Sequence, residues 1–258
     1  MNRQMDNDIL IIPDVHGREF WKEAKEYEGK IVFLGDYLDP YTYTEGITTE
    51  QALENFEEIL EFAKSRDNVK LLVGNHDLGY FLSYLICNCR TDGKNYWKIS
   101  EMLIDNADLF DLAYCAEHNG EKILLTHASV HREWLDLFDF NSEDPEEICE
   151  FLNNEFNKAK ESTKNGKLNR RDKIVSLLAE CSRARGGWSN VGSCVWADCH
   201  EWDEFAMYGD DNYFSFYQIF GHTQLEKEYP LIGKHCACID TKECYKLSEI
   251  IEKRDNIK

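Results

Sequence analysis

The feature of this sequence that most constrains its fold is an apolar run that ends abruptly on polar side chains, and it occurs three times in the first 80 residues. The stretches are "DILIIPDVHG" at 8–17, "KIVFLGD" at 30–36 and "VKLLVGNH" at 69–76. Each apolar run is continuous rather than alternating, as in a strand that is covered on both faces. The sequence therefore predicts three buried strands.

Helical patterns separate these strands. One covers "GREFWKEAKEYE" at 17–28, and a second covers 48–65, where Thr48 or Thr49 is a candidate N-cap. Apolar residues recur in the second helix at helical spacing: Ala52, Leu53, Phe56, Ile59, Leu60 and Ala63. Strand, helix, strand, helix, strand predicts a parallel sheet with right-handed crossovers, an α/β fold.

The rest of the chain is expected to add helices, a hairpin and further strands to one domain that spans 1–258. We expect a hairpin within 111–130 around Asn119-Gly120, a favoured tight-turn pair. Helix is predicted over about 78–110 and in a charged insert over about 143–180, and a Gly-rich loop over 182–193. Further strands are predicted in "SCVWAD" (193–198), "FSFYQIFGHT" (214–223), "KHCACID" (234–240) and "CYKLSEIIE" (244–252).

Composition restricts the partners of the protein. The formal net charge is -20, which argues against nucleic acid as a partner. If the substrate is a phosphate, the local positive charge that it needs could come from bound metal. The chain has 10 cysteines, and its first residues lack a secretory pattern. We therefore expect reduced thiols and a cytoplasmic protein without a membrane span; two Cys-x-Cys pairs are a weak metal signal.

Five polar strand ends form the candidate site. In an open α/β sheet, ligands bind beyond the carboxyl ends of the strands, so these ends are expected to converge. The candidate residues are Asp14, His16, Asp36, Asp39, Asn75, His76, His127 and His222. The other histidines, His118, His131, His200 and His235, are interpreted as structural or exposed.

The chemistry of this set suits two divalent ions. Mixed imidazole and carboxylate ligands fit manganese first, with iron, zinc, nickel or magnesium as alternatives. A single carboxylate, Asp36, could bridge ions about 3.5 Å apart. Such a pair would bind a phosphate oxygen and activate water at neutral pH.

The motifs "DVHG", "GDYLD", "GNHD", "THAS" and "GHT" resemble, in this order, those of the calcineurin-like metallophosphoesterases. The resemblance covers about residues 8–241, with the stretch at 143–180 unmatched. It implies a sandwich of two mixed β-sheets flanked by helices, here with a helical insert, in place of a simple open sheet.

The resemblance also implies a role for each residue. Asp14 and His16 would hold the first metal, Asp36 would bridge, and Asn75, His127 and His222 would hold the second. His76 would protonate the leaving alkoxide and Asp39 would orient it. An imidazolium beside a carboxylate is a suitable proton donor near neutral pH.

Within this family the chain is most similar to the serine/threonine phosphoprotein phosphatases and their bacterial and phage relatives. Many family members end in Gly-His-x-His, whereas here Gln224 follows "GHT", and "VWAD" at 195–198 resembles a Trp-Ser-Asp stretch of that branch. One departure is clear: the arginine that follows the second Asp in that branch, and grips phosphate, is replaced by Pro40-Tyr41.

Arg183 and Arg185 are candidates to supply the missing phosphate contact from the Gly-rich loop, with ordinary surface charge as the alternative, and Asn75 is a further candidate. The sequence thus predicts a dinuclear phosphoesterase, most like a phosphomonoesterase, that acts on a phosphoprotein or a small phosphate compound. Three alternatives stay open: a hydrolase of dinucleoside polyphosphates or phosphodiesters, a metal-binding protein that has lost turnover, and a cysteine-rich zinc module.

Overall fold

The computed structural model describes residues 8–82, 89–167, 172–202, 214–225 and 229–257. Its strands are β1 Ile9–Ile12, β2 Lys30–Phe33, β3 Val69–Leu72, β4 Phe110–Asp111, β5 Ala113–His118, β6 Glu121–Thr126, β7 Tyr217–Phe220, β8 Leu231–Ile232, β9 Cys236–Cys238 and β10 Tyr245–Lys246. Its α-helices are α1 Thr42–Glu45, α2 Thr49–Lys64, α3 Asn75–Phe81, α4 Tyr96–Asp105, α5 Arg132–Asp136, α6 Pro145–Lys164, α7 Lys173–Leu178 and α8 Leu247–Asp255. Short 3₁₀ helices cover Phe20–Glu26, Ala107–Leu109, Arg183–Arg185 and Cys199–Glu201.

The strands form two mixed five-stranded sheets, which confirms the expected architecture. The first sheet has the order β10-β1-β2-β3-β4, with β1 to β4 parallel and β10 antiparallel to β1. The second has the order β5-β6-β7-β9-β8, with β6, β7 and β9 parallel and an antiparallel strand at each edge. Helices cover the outer faces, so the chain is an α/β sandwich.

The continuous apolar run of β1 is explained by its two covered faces. Successive side chains of a strand point to opposite sides of the sheet. Leu10 and Ile12 pack into the core under the helices, whereas Ile9 and Ile11 pack between the two sheets. Neither face of this strand meets water, so neither face carries a polar residue.

The predicted helix over 48–65 is α2, and Thr48 is its N-cap. The Thr48 hydroxyl accepts a hydrogen bond from the backbone N–H of Gln51 at 3.1 Å, and the Gln51 side chain accepts one from the N–H of Thr48 at 2.9 Å. This reciprocal capping box satisfies two N–H groups that a helix start leaves without a partner. The segment after β1 is shorter than predicted, a 3₁₀ helix at Phe20–Glu26.

The predicted hairpin is formed by β5 and β6. Asn119 and Gly120 join the strands with φ of 52° and 84°, the left-handed pair that a tight hairpin turn requires. Helix α6 lies against this hairpin: Asn153 accepts from the N–H groups of Leu112 and Ala113 and donates to the carbonyl of Ala113. The charged region 143–180 is helical as predicted, in α6 and α7.

Two strand predictions are corrected. "SCVWAD" is a turn, because the carbonyl of Ser193 accepts from the N–H groups of Trp196 and Ala197 and the chain bends back on itself. "CYKLSEIIE" contributes only Tyr245–Lys246 to a strand and continues as α8. In both cases short apolar stretches suit strand and helix alike, and tertiary contacts decide between them.

In the part of the chain that the structure describes, no helix has both the length and the apolar character needed to cross a membrane.

Candidate active site

The site lies where adjacent strands end. Because β1, β2 and β3 are parallel neighbours, their carboxyl ends lie side by side, and the turns that follow carry the first three motifs. The backbone there is left-handed at His16, Asp36 and Asp39, with φ of 47°, 53° and 56°. Such conformations cost energy for residues with a side chain and persist only where the surroundings fix them. Here the carbonyl of Asp36 accepts from the N–H groups of Val15 and His16.

Two glycines allow the turns to approach each other. A Cβ atom on Gly74 would lie 2.1 Å from Oδ1 of Asp36, and one on Gly221 would lie 2.2 Å from Oδ1 of Asp14. No side chain fits at either distance. The glycines in "GNHD" and "GHT" therefore make room for the carboxylates of the first two motifs.

The first of two candidate metal-binding groups, whose ligand atoms could hold one ion, consists of His16, Asp36 and His76. His16 Nδ1 donates to the carbonyl of Leu38 at 2.9 Å, which leaves the lone pair on Nε2, 3.5 Å from Oδ2 of Asp36. A lone pair and a carboxylate oxygen that face each other repel, unless a cation lies between them. Burial lowers the pKa of His16, so its imidazole is neutral, the form that binds metal.

A second group consists of Asp36, His127 and His222, with Asn75 among them. His127 Nδ1 donates to the carbonyl of Leu34, so the Nε2 lone pair points at the Asn75 amide oxygen, 3.0 Å away, and at Asp36 Oδ2, 3.6 Å away. His222 Nδ1 is also 3.0 Å from that amide oxygen. The Asn75 amide nitrogen is turned away, 3.3 Å from the Cys89 sulfur, which directs the oxygen to the histidines.

The residues of both groups fit divalent cations. Asp36 belongs to both, as a bridging ligand must. Among the described residues, Oδ2 of Asp14 and Nε2 of His222 are buried side-chain atoms without a hydrogen-bond partner. Burial, Asp14 and Asp77 hold the pKa of Asp36 well above its usual range, and burial lowers the pKa of His127 and His222. Neutral imidazoles around crowded carboxylates are a donor set that a bound cation stabilises.

His76 and Asp39 form the predicted pair. His76 Nδ1 donates to Oδ2 of Asp39 at 2.8 Å, and its backbone N–H donates to Oδ1 of Asp36 at 3.0 Å. The other oxygen of Asp39 accepts from the hydroxyl of Tyr80. That hydroxyl in turn accepts from the N–H of Asp92 at 2.6 Å. With Nδ1 held in this way, Nε2 is the nitrogen available to a ligand.

Asp77 supports the turns from beneath, a role that the sequence reading did not assign. Its buried carboxylate accepts three backbone hydrogen bonds, from Gly74 at 2.9 Å, Asp36 at 2.7 Å and Tyr37 at 3.1 Å. Burial raises the pKa of Asp77 to about 7. The "GNHD" motif thus ties the end of β3 to the end of β2.

Of the two candidate arginines in the Gly-rich loop, Arg185 reaches the site and Arg183 does not. Arg185 Nη2 donates to the carbonyl of His222 at 3.2 Å and to the hydroxyl of Thr223 at 3.0 Å, and its Nε pairs with Asp198. Arg183 is exposed and is absent from the cleft lining. The "VWAD" stretch serves this wall, because Asp198 holds Arg185 and the Trp196 ring lies 5.8 Å from that of His222.

A second arginine at the site, Arg90, was not predicted. Its Nη2 donates to the backbone carbonyl of Asp39 at 3.0 Å, and its guanidinium lies 3.8 Å from the centre of the Tyr41 ring. No motif surrounds Arg90, and only the three-dimensional structure brings it to Tyr41, the residue that stands near the expected arginine position. The departure at Pro40-Tyr41 therefore coincides with a guanidinium supplied from another segment.

These residues surround a cleft of about 230 Å³. It is lined by His16, Asp36, Tyr41, Asn75, His76, Cys89, Arg90, Arg185, Trp196 and His222. Gln224, which stands after "GHT" where many family members have a second histidine, is exposed. The cleft brings together both metal-binding groups, the His76 side chain and two guanidinium groups.

Cysteines contribute little to the metal-binding groups. Among the described residues one such group contains a cysteine, Cys199 with Asp198 and His200, and there Asp198 already pairs with Arg185. None of the nine described cysteines forms a disulfide. A zinc module built on cysteines is therefore not favoured by the arrangement of the described chain.

Comparison with known proteins identifies a family and structures to which this chain is similar. The family model described as calcineurin-like phosphoesterase matches residues 8–226. A cold-active protein-tyrosine phosphatase of a psychrophilic Shewanella species has a similar fold, with a TM-score of 0.53 and 16% identity over 91% of this chain and 71% of that one. A serine/threonine phosphatase from Saccharomyces cerevisiae matches with a TM-score of 0.46 and 14% identity, covering 92% of this chain and 68% of that one. The comparison with curated proteins gives no match.

Proposed function

The chain belongs to the calcineurin-like phosphoesterase family, metal-dependent hydrolases of phosphate esters, and on that premise we propose that it is a dinuclear phosphomonoesterase resembling the serine/threonine phosphatases. The observation that carries this proposal is the hydrogen bond of 2.8 Å between His76 and Asp39, beside two metal-binding groups that share Asp36. A protein that only bound metal would not need a proton donor held in this way.

We infer that Asp14, His16 and Asp36 hold one ion and that Asp36, Asn75, His127 and His222 hold the other, with manganese the preferred metal. Ions bound to these residues would supply positive charge for the phosphate and would activate water. The protein positions their ligands: backbone carbonyls of Leu38 and Leu34 fix the rings of His16 and His127.

The phosphate is held by side chains as well. Arg185 is fixed by Asp198 and by the carbonyl of His222, which favours a single orientation of its guanidinium in the cleft. Asn75 is a second contact, and Arg90, which also lines the cleft, supplies positive charge. Arg183, exposed and outside the cleft lining, is expected to contribute little.

His76 acts on the leaving group. Water adds to phosphorus, the bond between phosphorus and the ester oxygen breaks, and His76 gives that oxygen its proton, which yields inorganic phosphate and an alcohol. Asp39 keeps the imidazole oriented through its hydrogen bond with Nδ1. This assistance is needed most when the leaving alcohol is a weak acid such as serine.

The test is the hydrolysis of four compounds by manganese-loaded protein: p-nitrophenyl phosphate, bis-p-nitrophenyl phosphate, a phosphoserine peptide and a dinucleoside tetraphosphate. We expect the monoesters to be preferred. His76→Asn should lower the rate on the phosphoserine peptide far more than on p-nitrophenyl phosphate, because p-nitrophenolate leaves without a proton.

Other outcomes point to the alternatives. Preference for the diester or the dinucleoside compound would favour a small-molecule hydrolase. Two bound metals without turnover of any compound would favour a metal-binding protein that has lost activity.

We also propose that the protein acts in the cytoplasm as a single domain with a helical insert. The absence of disulfides among the nine described cysteines is consistent with a reducing compartment. A phosphoprotein or a small phosphate compound is the expected partner.

A further inference from the structure

A second cavity opens beside the catalytic cleft. It has a volume of about 530 Å³ and is lined by residues of two segments, 39–49 and 90–92. Tyr41 and Arg90 line both this cavity and the cleft, and Asp39 lines the cavity as well. The two spaces therefore share one wall, made of the Tyr41 ring and the Arg90 guanidinium.

The position of this cavity relates it to the leaving group. In an in-line displacement the leaving oxygen departs opposite the attacking water, on the side of the proton donor. That donor is His76, whose Nδ1 is held by Asp39 and lies 3.3 Å from the Arg90 carbonyl oxygen, so its Nε2 is the nitrogen that faces the ester. The alcohol part of a bound ester lies in the cleft beside Nε2, and the cleft wall formed by Tyr41 and Arg90 continues into the second cavity.

The walls suit a flat aromatic group. Pro40, Tyr41 and Tyr43 contribute apolar surface, and Tyr43 is fully exposed at 104%. One face of the Arg90 guanidinium lies against the Tyr41 ring. Because Arg90 is exposed, a ligand ring can stack on the other face of the guanidinium. Guanidinium planes stack on aromatic faces, and aromatic pairs add stabilisation beyond the area they bury.

We propose that this cavity is a leaving-group subsite for an aromatic alcohol, and that the chain prefers phosphate esters of phenols, such as phosphotyrosine, over those of serine. The inference rests on the proposed function. Because the shared wall begins at the catalytic cleft, a ring bonded directly to the ester oxygen meets it at once. The single carbon of a serine side chain offers no ring surface to this wall.

The first test compares two peptides of one sequence that carry phosphotyrosine or phosphoserine. Wild-type protein should hydrolyse the phosphotyrosine peptide with the higher kcat/KM. Tyr43→Ser, outside the catalytic residues, should lower kcat/KM on that peptide roughly 3- to 10-fold, as the loss of one aromatic contact predicts, with the phosphoserine value changed less than about 2-fold. Trp188→Ser is the matched control, since Trp188 is 93% exposed and lies outside this cavity.

A second measurement tests binding without turnover. Phenylphosphonate and methylphosphonate, which have no ester bond to cleave, are compared as competitive inhibitors. Phenylphosphonate should bind more tightly to the wild type, and Tyr43→Ser should reduce this advantage by the same factor as for the phosphotyrosine peptide. An unchanged advantage in Tyr43→Ser would overturn the proposal.

Failure of the subsite and failure of the proposed function give different results. If the wild type cleaves no ester at all, the proposed function is wrong. If it cleaves both peptides equally, and Tyr43→Ser matches Trp188→Ser, the phosphomonoesterase stands and the subsite is wrong. Adenosine 5′-monophosphate is assayed as well, because a nucleotide base is another flat ring that the cavity could hold. Faster hydrolysis of this compound than of the phosphotyrosine peptide would overturn the choice of a phenol.

Discussion

The two sides of the catalytic cleft are built in different ways. On one side, the turns after β1, β2 and β3 hold the metal-binding residues through backbone geometry: left-handed residues, glycines and hydrogen bonds between turns. On the other side, the arginines are held by side-chain contacts, Arg185 by Asp198 and Arg90 by the Tyr41 ring. On the first side the backbone conformation places the ligands, whereas on the second side the contacts of the side chains themselves place the guanidinium groups.

This difference predicts where substitutions act. A change in the turns should remove metal and chemistry together, because each ligand serves a shared cluster. A substitution of Arg185 or Arg90 should alter the affinity for substrate and leave the metals in place. The predictions below are arranged from the largest expected effect to the smallest.

Asp36→Asn should have the largest effect. Asp36 lies in both metal-binding groups, and metal ions held there would supply several kcal/mol of transition-state stabilisation, so we expect kcat to fall about 1,000-fold or more. Metal content, measured by elemental analysis after gel filtration, should fall with it. Asp108→Asn is the control, because the Asp108 side chain is 94% exposed and pairs with Lys164 away from the candidate metal-binding groups. A variant that keeps both metals and full activity would contradict the assignment of Asp36.

The second prediction concerns His131. This residue follows the same strand as His127, but it lies beside Glu201 and belongs to neither of the two metal-binding groups of the cleft. It is buried, 3.8 Å from the carboxylate of Glu201, and burial lowers its pKa to about 4. The unfolded chain therefore binds a proton that the folded chain does not between pH 6.5 and 4, so stability falls as the pH is lowered through this window. The free energy of unfolding that protonation of His131 removes is at most about 3 kcal/mol.

Urea unfolding of the metal-free protein at pH 7 and pH 5 measures this effect. The free energy of unfolding should fall between these values by a larger amount in wild type than in His131→Gln, which has no imidazole to protonate. Equal pH dependence of the two proteins would show that His131 does not titrate on unfolding.

Arg185→Met tests the side of the cleft that carries the arginines. Arg183→Met, from the same 3₁₀ helix, is the control. Hydrogen bonds to charged groups contribute about 1.5–3 kcal/mol, so kcat/KM on a monoester should fall roughly 10- to 100-fold in Arg185→Met. Arg183→Met should stay near wild type, because Arg183 does not line the cleft. Metal content should be unchanged in both. Loss of metal in Arg185→Met would show that Arg185 also supports the metal ligands, and the two sides of the cleft would then not differ in this respect.

The same distinction explains what the sequence could predict. Strand ends followed by Asp, His and Asn are local patterns, and parallel neighbours bring them together, so His16, Asp36, Asn75 and His76 could be placed in one cleft from the sequence. Arg90 could not, because its position depends on a stacking contact with Tyr41 across 49 residues. The turn at "SCVWAD" has a related cause: the carbonyl of Cys194 accepts a hydrogen bond from the N–H of Ala128, far away in sequence.

The smallest effect is expected for Tyr80→Phe, at the junction of the two sides. The Tyr80 hydroxyl donates to Asp39, the partner of His76, and accepts from the N–H of Asp92, next to the Arg90 wall. Loss of one hydrogen bond of about 0.5–1.5 kcal/mol should lower kcat on a phosphoserine peptide roughly 3- to 10-fold. The rate on p-nitrophenyl phosphate should change little, because that leaving group needs no proton.

Tyr96→Phe is the matched control for this positioning role. Tyr96 packs beside Tyr80, with ring centres 5.3 Å apart, but its hydroxyl donates to the carbonyl of Gly79 and not to Asp39. Tyr96→Phe should therefore lower stability without changing the ratio of the two rates. If Tyr80→Phe lowers both rates by the same factor, Tyr80 supports the fold in general, and the orientation of His76 depends on Asp39 alone.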